Sequence, residues 1–290
     1  MLEKIALYLR MIKFSHSVFA LPFALTAVAI AAGGLPTAGQ AFWVVAAMVG
    51  ARSGAMGMNR FIDRKIDAMN PRTRGRELPS GRMRAMEVVL FSAASFGVMV
   101  LAAYMLNPLC LKLSPVAIAV IVFYSFTKRF TWLSHFVLGV ALSAAPLGAW
   151  IAIRGTFDLE ILPLALAVAF WLPGFDILYA LQDMEFDRSH GLYSVPARFG
   201  VRRALALARV LHLLSWVLLA LTGYVFGLGP VYWLGVLVAG GLFLYEHSLV
   251  RADDLSRLDM AFFNMNGYIS VSVFLFTFVD RLIPFLKIPG

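Results

Sequence analysis

The sequence predicts an all-α integral membrane protein with nine transmembrane helices, eight of them in two pseudo-repeated four-helix halves. Three observations carry this. Of 290 residues, 61% are hydrophobic and 14% charged, far outside the soluble range. The apolar residues gather in nine runs, most of them near the roughly 20 residues that a helix needs to cross a bilayer. The bases fall in the short segments between those runs, mainly on alternate sides.

Taken in order, Leu2 to Phe14 mixes Lys4, Arg10 and Lys13 with Leu, Ile, Tyr and Met in a helical pattern, so residues 1–15 are expected to form an interfacial helix on the membrane. The bases followed by an apolar run from Ser17 to Ala32 resemble a signal peptide. The run is long for one, and similar segments follow, so it is assigned as the first span. Spans are placed at 16–33, 40–58, 85–106, 114–127, 133–153, 160–180, 203–226, 230–250 and 260–283, with the fourth the shortest. Turns such as Gly33-Gly34-Leu35-Pro36 and Gly227-Leu228-Gly229-Pro230 join them on one side. The hydrophilic loops 60–84, 188–202 and 251–259 lie on the other. No linker or low-complexity tract divides the chain, so 1–290 reads as a single domain.

The distribution of bases gives an independent orientation. If the N-terminus is cytoplasmic, nineteen of the 25 Lys and Arg lie on that side and four opposite, with Arg52 and Arg209 inside spans. This asymmetry fits a multi-pass protein of a bacterial inner (plasma) membrane with its N-terminus inside. The net charge of +9 therefore points to the lipid bilayer and to no nucleic-acid partner. Cys110, the single cysteine, allows no internal disulfide or thiolate cluster and reads as a packing residue.

Two acidic constellations stand out. Asn59, Asp63 and Asp67 recur every four residues at the end of the second span, forming one polar stripe on a helix, and eight Lys and Arg crowd positions 60–84. At the end of the sixth span, Asp176, Asp183 and Asp187 stand at offsets of 7 and 11, which return to within about 20° on an α-helix, and Tyr179 flanks them. Asp63 to Asp183 and Asp67 to Asp187 are each 120 residues apart, and each stripe precedes a basic loop containing Pro and Gly. That suggests a parallel repeat with a site between its halves. Clustered carboxylates repel unless a cation neutralises them, and carboxylate and amide oxygens suit Mg²⁺, which keeps positions open for phosphates. The blander alternative is that these acids pair with neighbouring Arg and Lys at the interface.

At these residues the chain resembles the UbiA-type intramembrane prenyltransferases. The pattern Asn59, Asp63, Asp67 continues into Arg72-Thr73, Arg76 and Leu78-Pro79-Ser80-Gly81. The stretch Tyr179 to Arg188 is similar to the second motif, and Tyr124 to Gly139 to the Lys-Arg loop leading into the fifth helix. The resemblance implies nine helices around a central cavity open to lipid and capped by the loops 60–84 and 188–202. It also implies transfer of a polyprenyl group from polyprenyl diphosphate to a small aromatic acid, with 4-hydroxybenzoate favoured and a dihydroxynaphthoate of menaquinone synthesis the alternative.

By the same resemblance Asn59, Asp63, Asp67, Asp183 and Asp187 are the expected Mg²⁺ and diphosphate ligands, the four aspartates being the catalytic ones. Arg64, Lys128 and Arg129 match bases around diphosphate and acceptor, and Asp176 and Tyr179 match the start of the second motif. Arg52 is added from spacing, since offset 7 from Asn59 puts it on the same helix face one level deeper, where it meets either an acceptor carboxylate or a nearby acid. The chain departs from ubiquinone-pathway members at Gly75, Glu77, Ser134-His135 and Tyr193, loops expected to border the acceptor.

Two other function classes bear on the same residues. A cation-coupled transporter also needs buried acids at a repeat interface, but nearer mid-bilayer. Phosphatidyl-alcohol transfer uses Asp-x3-Asp with a preceding Asp-Gly and Ala-Arg pattern that is missing here. His212 and His247 read as hydrogen-bonded packing residues, and His135 and His190 lie near the expected site. Asp253, Asp254 and Asp259 read as a solvated capping loop, and Asn264 and Asn266 as interhelical hydrogen-bonding groups.

Overall fold

The computed structural model describes residues 2–12 and 19–286, and every regular element among them is helical. In chain order these are α1 (Leu2–Met11), α2 (Ala20–Ala32), α3 (Ala38–Met69), α4 (Ala85–Leu106), α5 (Pro108–Thr127), α6 (Ser134–Arg154), α7 (Leu162–Ala180), α8 (Met184–Ser189), α9 (Val195–Phe199), α10 (Val201–Val225), α11 (Pro230–Ser248) and α12 (Asn266–Leu286). A 3₁₀ turn at Leu181–Asp183 joins α7 to α8, and a π-helical turn at Met260–Met265 leads into α12.

Among the described residues seven segments are long and apolar enough to cross a membrane: Ala38–Met69, Ala85–Leu106, Pro108–Thr127, Ser134–Arg154, Leu159–Ser189, Val201–Val225 and Met260–Ile283. The other two expected spans fall short of that measure. Residues 13–18 lie outside the described residues, and the described part of the first span is the 13-residue Ala20–Ala32. Pro230–Ser248 is long enough, but Gly, Tyr, Trp and a terminal Glu246-His247 dilute its apolarity.

Several boundaries differ from expectation for local reasons. The fourth span begins at Pro108, because Asn107 caps it by accepting the Cys110 N–H and Pro108 suits the first turn; it runs 20 residues. Helix α3 continues through the acidic stripe to Met69, so the first loop starts at Asn70 instead of residue 60. In the second loop α8 extends to Ser189 and α9 occupies Val195–Phe199.

Helix α3 begins with a reciprocal cap between Thr37 and Gln40, a signal visible in sequence as Thr-x-x-Gln. One face of α3 is built for close approach. A side chain at Gly50 would come within 2.6 Å of the Ser95 carbonyl, at Gly54 within 2.6 Å of the Phe96 ring, and at Gly57 within 2.1 Å of Ser92 Oγ. Small residues let helices pack backbone to backbone in lipid, so α4 lies along this face. The opposite face, carrying Arg52, Asn59 and Asp63, turns to the interior. On the other side of the molecule α2, α6, α7, α10, α11 and α12 share an apolar core around the fully buried Trp171, which contacts Phe23 and Phe175. Met11 at the end of α1 and the following Ile12 pack against Met83 and Val88, and the buried Arg60 donates from Nε to the Met11 carbonyl at 3.4 Å.

Candidate active site

Between α3, α4, α5, α6 and α7 lies a cavity of about 890 Å³. Its wall on α3 follows helical spacing through Val44, Met48, Arg52, Asn59, Asp63 and Asp67. At about 1.5 Å per residue that stripe is roughly 35 Å long, comparable with a bilayer's hydrocarbon core. Val44 and Leu106, with Leu109 and Leu113 of α5, line apolar parts of the wall. The polar end gathers Asn59, Asp63, Asp67, Asp183 and Asp187 under the two loops, which contribute Arg72 and Arg76 from one side and Tyr193 and Ser194 from the other.

Each of three aspartates carries its own base. Asp63 is buried, its carboxylate 2.6 Å from Lys128 Nζ and 2.9 Å from Arg129 Nη2, while Asn59 Nδ2 donates to it at 3.2 Å. Asp67 receives Arg76 Nη1 at 2.8 Å on both oxygens, and its carbonyl accepts the Thr73 hydroxyl at 3.0 Å. Asp183 is gripped by Arg72 through two hydrogen bonds, Nε to Oδ1 at 2.9 Å and Nη2 to Oδ2, and Asn70 Nδ2 donates to it at 2.9 Å. Arg72 also donates to the Tyr179 hydroxyl at 2.7 Å and lies over its ring. Burial disfavours the Arg72 charge, but the Asp183 and Tyr179 contacts outweigh it and raise its pKa above the usual guanidinium value. So the bases pair with the acids, as the blander alternative anticipated, yet they do so within a cavity large enough for a substrate.

The remaining acids have softer partners. Asp187 accepts the Ser194 hydroxyl at 2.8 Å, and Asp176 lies 2.6 Å from His135 Nδ1. The second stripe does not lie on one continuous α-helix, because the 3₁₀ turn at Leu181–Asp183 advances the chain by a different angle per residue. All three of its aspartates nevertheless line the cavity.

Of the expected site residues, Arg52, Asn59, Asp63, Asp67, Lys128, Asp176, Tyr179, Asp183 and Asp187 line the cavity, and Arg129 reaches it through Asp63. Arg64 does not: at offset 5 from Asn59 it lies about 140° around the helix, donating to the Phe61 carbonyl and stacking on that ring. That angle was computable from spacing alone. Among the departures, Ser134, His135 and Tyr193 line the cavity, whereas Gly75 and Glu77 do not. Arg72 and Arg76, expected only as loop letters, prove to be partners of the acids. Phe262, on the π-helical turn, stacks on Tyr179 with ring centroids 4.1 Å apart; no local signal marked it. Cys110 is half-buried in the cavity wall.

Comparison with known proteins gives a consistent result. Residues 20–268 match the UbiA prenyltransferase family. A 4-hydroxybenzoate octaprenyltransferase of Saccharophagus degradans is 35% identical over 254 residues, spanning 88% of this chain and 84% of the relative. The apo structure of a UbiA homolog from Aeropyrum pernix K1 superposes with a TM-score of 0.84 at 30% identity, covering 92% of this chain and 98% of that one. A UbiA homolog from Archaeoglobus fulgidus bound to DMAPP and Mg²⁺ gives a TM-score of 0.70 at 18% identity, covering 95% and 99%. That last likeness concerns the fold.

Proposed function

Because the chain belongs to the UbiA prenyltransferase family and is a multi-pass membrane prenyltransferase, we propose that it transfers a polyprenyl group from polyprenyl diphosphate to a phenolic aromatic acid, with 4-hydroxybenzoate the favoured acceptor, in ubiquinone synthesis. One observation carries this reading: two acidic motifs 120 residues apart meet at the polar end of a single cavity that has long apolar walls. A prenyl chain fits those walls and a diphosphate fits that end.

The donor set suits Mg²⁺. Among the described residues no three His, Cys, Asp or Glu side chains come together as a cage for one ion. Mg²⁺ is commonly held by one or two carboxylates plus substrate phosphates, and each motif offers that. Asn59, Asp63 and Asp67 on α3, with Asp183 and Asp187 after α7, are the residues that would hold it. When bound, the metal supplies Lewis-acid neutralisation of the departing diphosphate.

The chain's own groups do the rest. Lys128, Arg129, Arg72 and Arg76 lie beside the acids and can exchange a carboxylate for diphosphate oxygens when substrate enters. The Tyr179 and Phe262 rings flank that end and can shelter allylic positive charge. Arg52 has a buried Nε without a hydrogen-bond partner among the described residues and suits an acceptor carboxylate. The two loops lie over the polar end of the cavity.

The relative's name supports 4-hydroxybenzoate. A second reading, a dihydroxynaphthoate of menaquinone synthesis, draws on Ser134, His135 and Tyr193, departures that line the cavity itself. The wider picture belongs to the same proposal: one domain of nine spans in two pseudo-repeated halves, in a bacterial inner membrane with the N-terminus and the acids cytoplasmic. Helices α2 and α11 supply the two spans beyond the seven. Membranes containing the protein, supplied with Mg²⁺, geranyl diphosphate and each acid in turn, test it by product mass. A prenylated naphthoate without prenylated benzoate selects the second reading; ion flux in proteoliposomes without either product overturns both in favour of transport.

A further inference from the structure

His135 and Asp176 form a pair in the cavity wall that the diphosphate chemistry leaves unused. His135, the second residue of α6, has a side chain only 5% exposed, and its Nδ1 lies 2.6 Å from Asp176 Oδ2 on α7. Its other nitrogen, Nε2, accepts the Val195 backbone N–H at 3.3 Å. A ring nitrogen that accepts a backbone N–H carries no proton, so the imidazole proton resides on Nδ1 and is donated to Asp176. Asp176 accepts that hydrogen bond on Oδ2, while its Oδ1 has no hydrogen-bond partner among the described residues, and its side chain is 21% exposed, on the cavity. The bases that balance Asp63, Asp67 and Asp183 form no ion pair with it.

We propose that Asp176 is the base that receives the acceptor's hydroxyl proton, with His135 as its positioning residue. The proposal rests on the prenyl-transfer reading above. Tyr124 of α5 lies within electrostatic range of Asp176, Asp63 and Arg52, and all four line the same cavity. A phenolic acid with its carboxylate on Arg52 can present its hydroxyl to Asp176 Oδ1. Oδ1 takes the proton and leaves a phenoxide, whose ring carbon beside the oxygen is the nucleophile. That carbon supplies the electron pair for the new C–C bond as the C–O bond to the diphosphate breaks, its pair leaving with the diphosphate. The dienone formed loses its ring proton to the released diphosphate and regains a proton on oxygen from Asp176. No oxidant or further reactant is consumed. His135 holds Oδ2 throughout, and through Val195 it ties the base to the second cap loop.

The test uses the full chain in membranes with geranyl diphosphate and Mg²⁺. Wild type is assayed with 4-hydroxybenzoate and with 1,4-dihydroxy-2-naphthoate, and the acid that reacts is carried forward beside a ring-fluorinated analogue with a more acidic hydroxyl. Asp176→Asn is expected to lower kcat roughly 100-fold or more, the scale of a lost general base. Its KM for geranyl diphosphate should stay unchanged, and the fluorinated acceptor, partly ionised without help, should recover much of the loss. His135→Leu is expected to cost about tenfold in kcat. His135→Asn, whose amide can still donate to Asp176, should restore most of it, an outcome that a purely structural histidine would not give. Asp176→Asn at the wild-type rate overturns the proposal, and so does a loss that appears equally in geranyl diphosphate KM and ignores acceptor acidity. Should wild type prenylate neither acid, the transfer reading itself fails and the proposal with it.

Discussion

Arg72 and Asp183, 111 residues apart in sequence, meet in a two-point ion pair that fastens the loop after the first acidic motif to the second motif. Asn70 and Tyr179 complete the clasp. A paired guanidinium fork is geometrically demanding, and Lys cannot reproduce it. Arg72→Lys is therefore expected to weaken prenyl-diphosphate binding about tenfold, with kcat less affected. Limited proteolysis should cut the loop 70–84 faster in that variant. Kinetics with varied geranyl diphosphate and a trypsin time course check both.

The α3 and α4 contact should not tolerate a side chain at Gly50, where a Cβ meets backbone at Ser95 and Met99. Gly50→Val is expected to destabilise the protein by about 1–3 kcal/mol, the usual scale of overpacking. Thermal unfolding in detergent measures it. Gly97, on α4 with nothing within 4 Å of its Cβ position, is the control: Gly97→Ala should leave the midpoint unchanged or raise it.

Asn266 is fully buried and links three helices, accepting from Trp171 Nε1 at 2.8 Å and donating to Glu246 Oε1 at 2.8 Å. Its amide also donates to the Ala261 and Phe262 carbonyls, bracing the π-helical turn that presents Phe262 to Tyr179. Asn266→Leu strands two buried polar groups and should cost about 2 kcal/mol or more. Adding Glu246→Leu removes one of them, so the double variant should recover part of the loss. A cycle of unfolding midpoints for the two singles and the double reads this coupling.

Divalent cations should matter for turnover and little for folding, because three of the four metal-free motif aspartates, Asp63, Asp67 and Asp183, are already paired with Lys128, Arg129, Arg76 and Arg72. Chelation by EDTA is expected to abolish prenyl transfer while leaving the unfolding midpoint within about 0.5 kcal/mol of its starting stability. Restoring Mg²⁺ should restore the rate.

What was legible in the sequence was what period and charge encode locally. The four-residue spacing of Asn59, Asp63 and Asp67 put them on one face, and offset 7 carried that face down to Arg52; the structure finds all four on the cavity wall. The Thr37 and Gln40 cap at the start of α3 is also encoded locally, as Thr-x-x-Gln, but apolarity alone places the start of the span at residue 40. The 3₁₀ turn after Ala180 was hidden, because three aspartates at helical offsets look alike whether or not the helix changes winding between them. The pairing of each base with its acid was also hidden, since Arg72 reaches Asp183 only after α3 and α7 have packed around a common space. The His135 and Asp176 pair joins two helices in the same way. Pro230–Ser248 shows the converse limit: its polar end, including Glu246, weakens the span signal because it is spent on contacts with α12.

The central claim is that two distant acidic motifs form one diphosphate site. The most direct test compares Asp63→Ala, Asp183→Ala and wild type, at matched expression in membranes, for formation of prenylated acid from geranyl diphosphate and Mg²⁺. Both variants should lose turnover by roughly 100-fold or more, as removal of groups that stabilise a leaving anion does. Wild-type turnover in either variant would contradict the shared site.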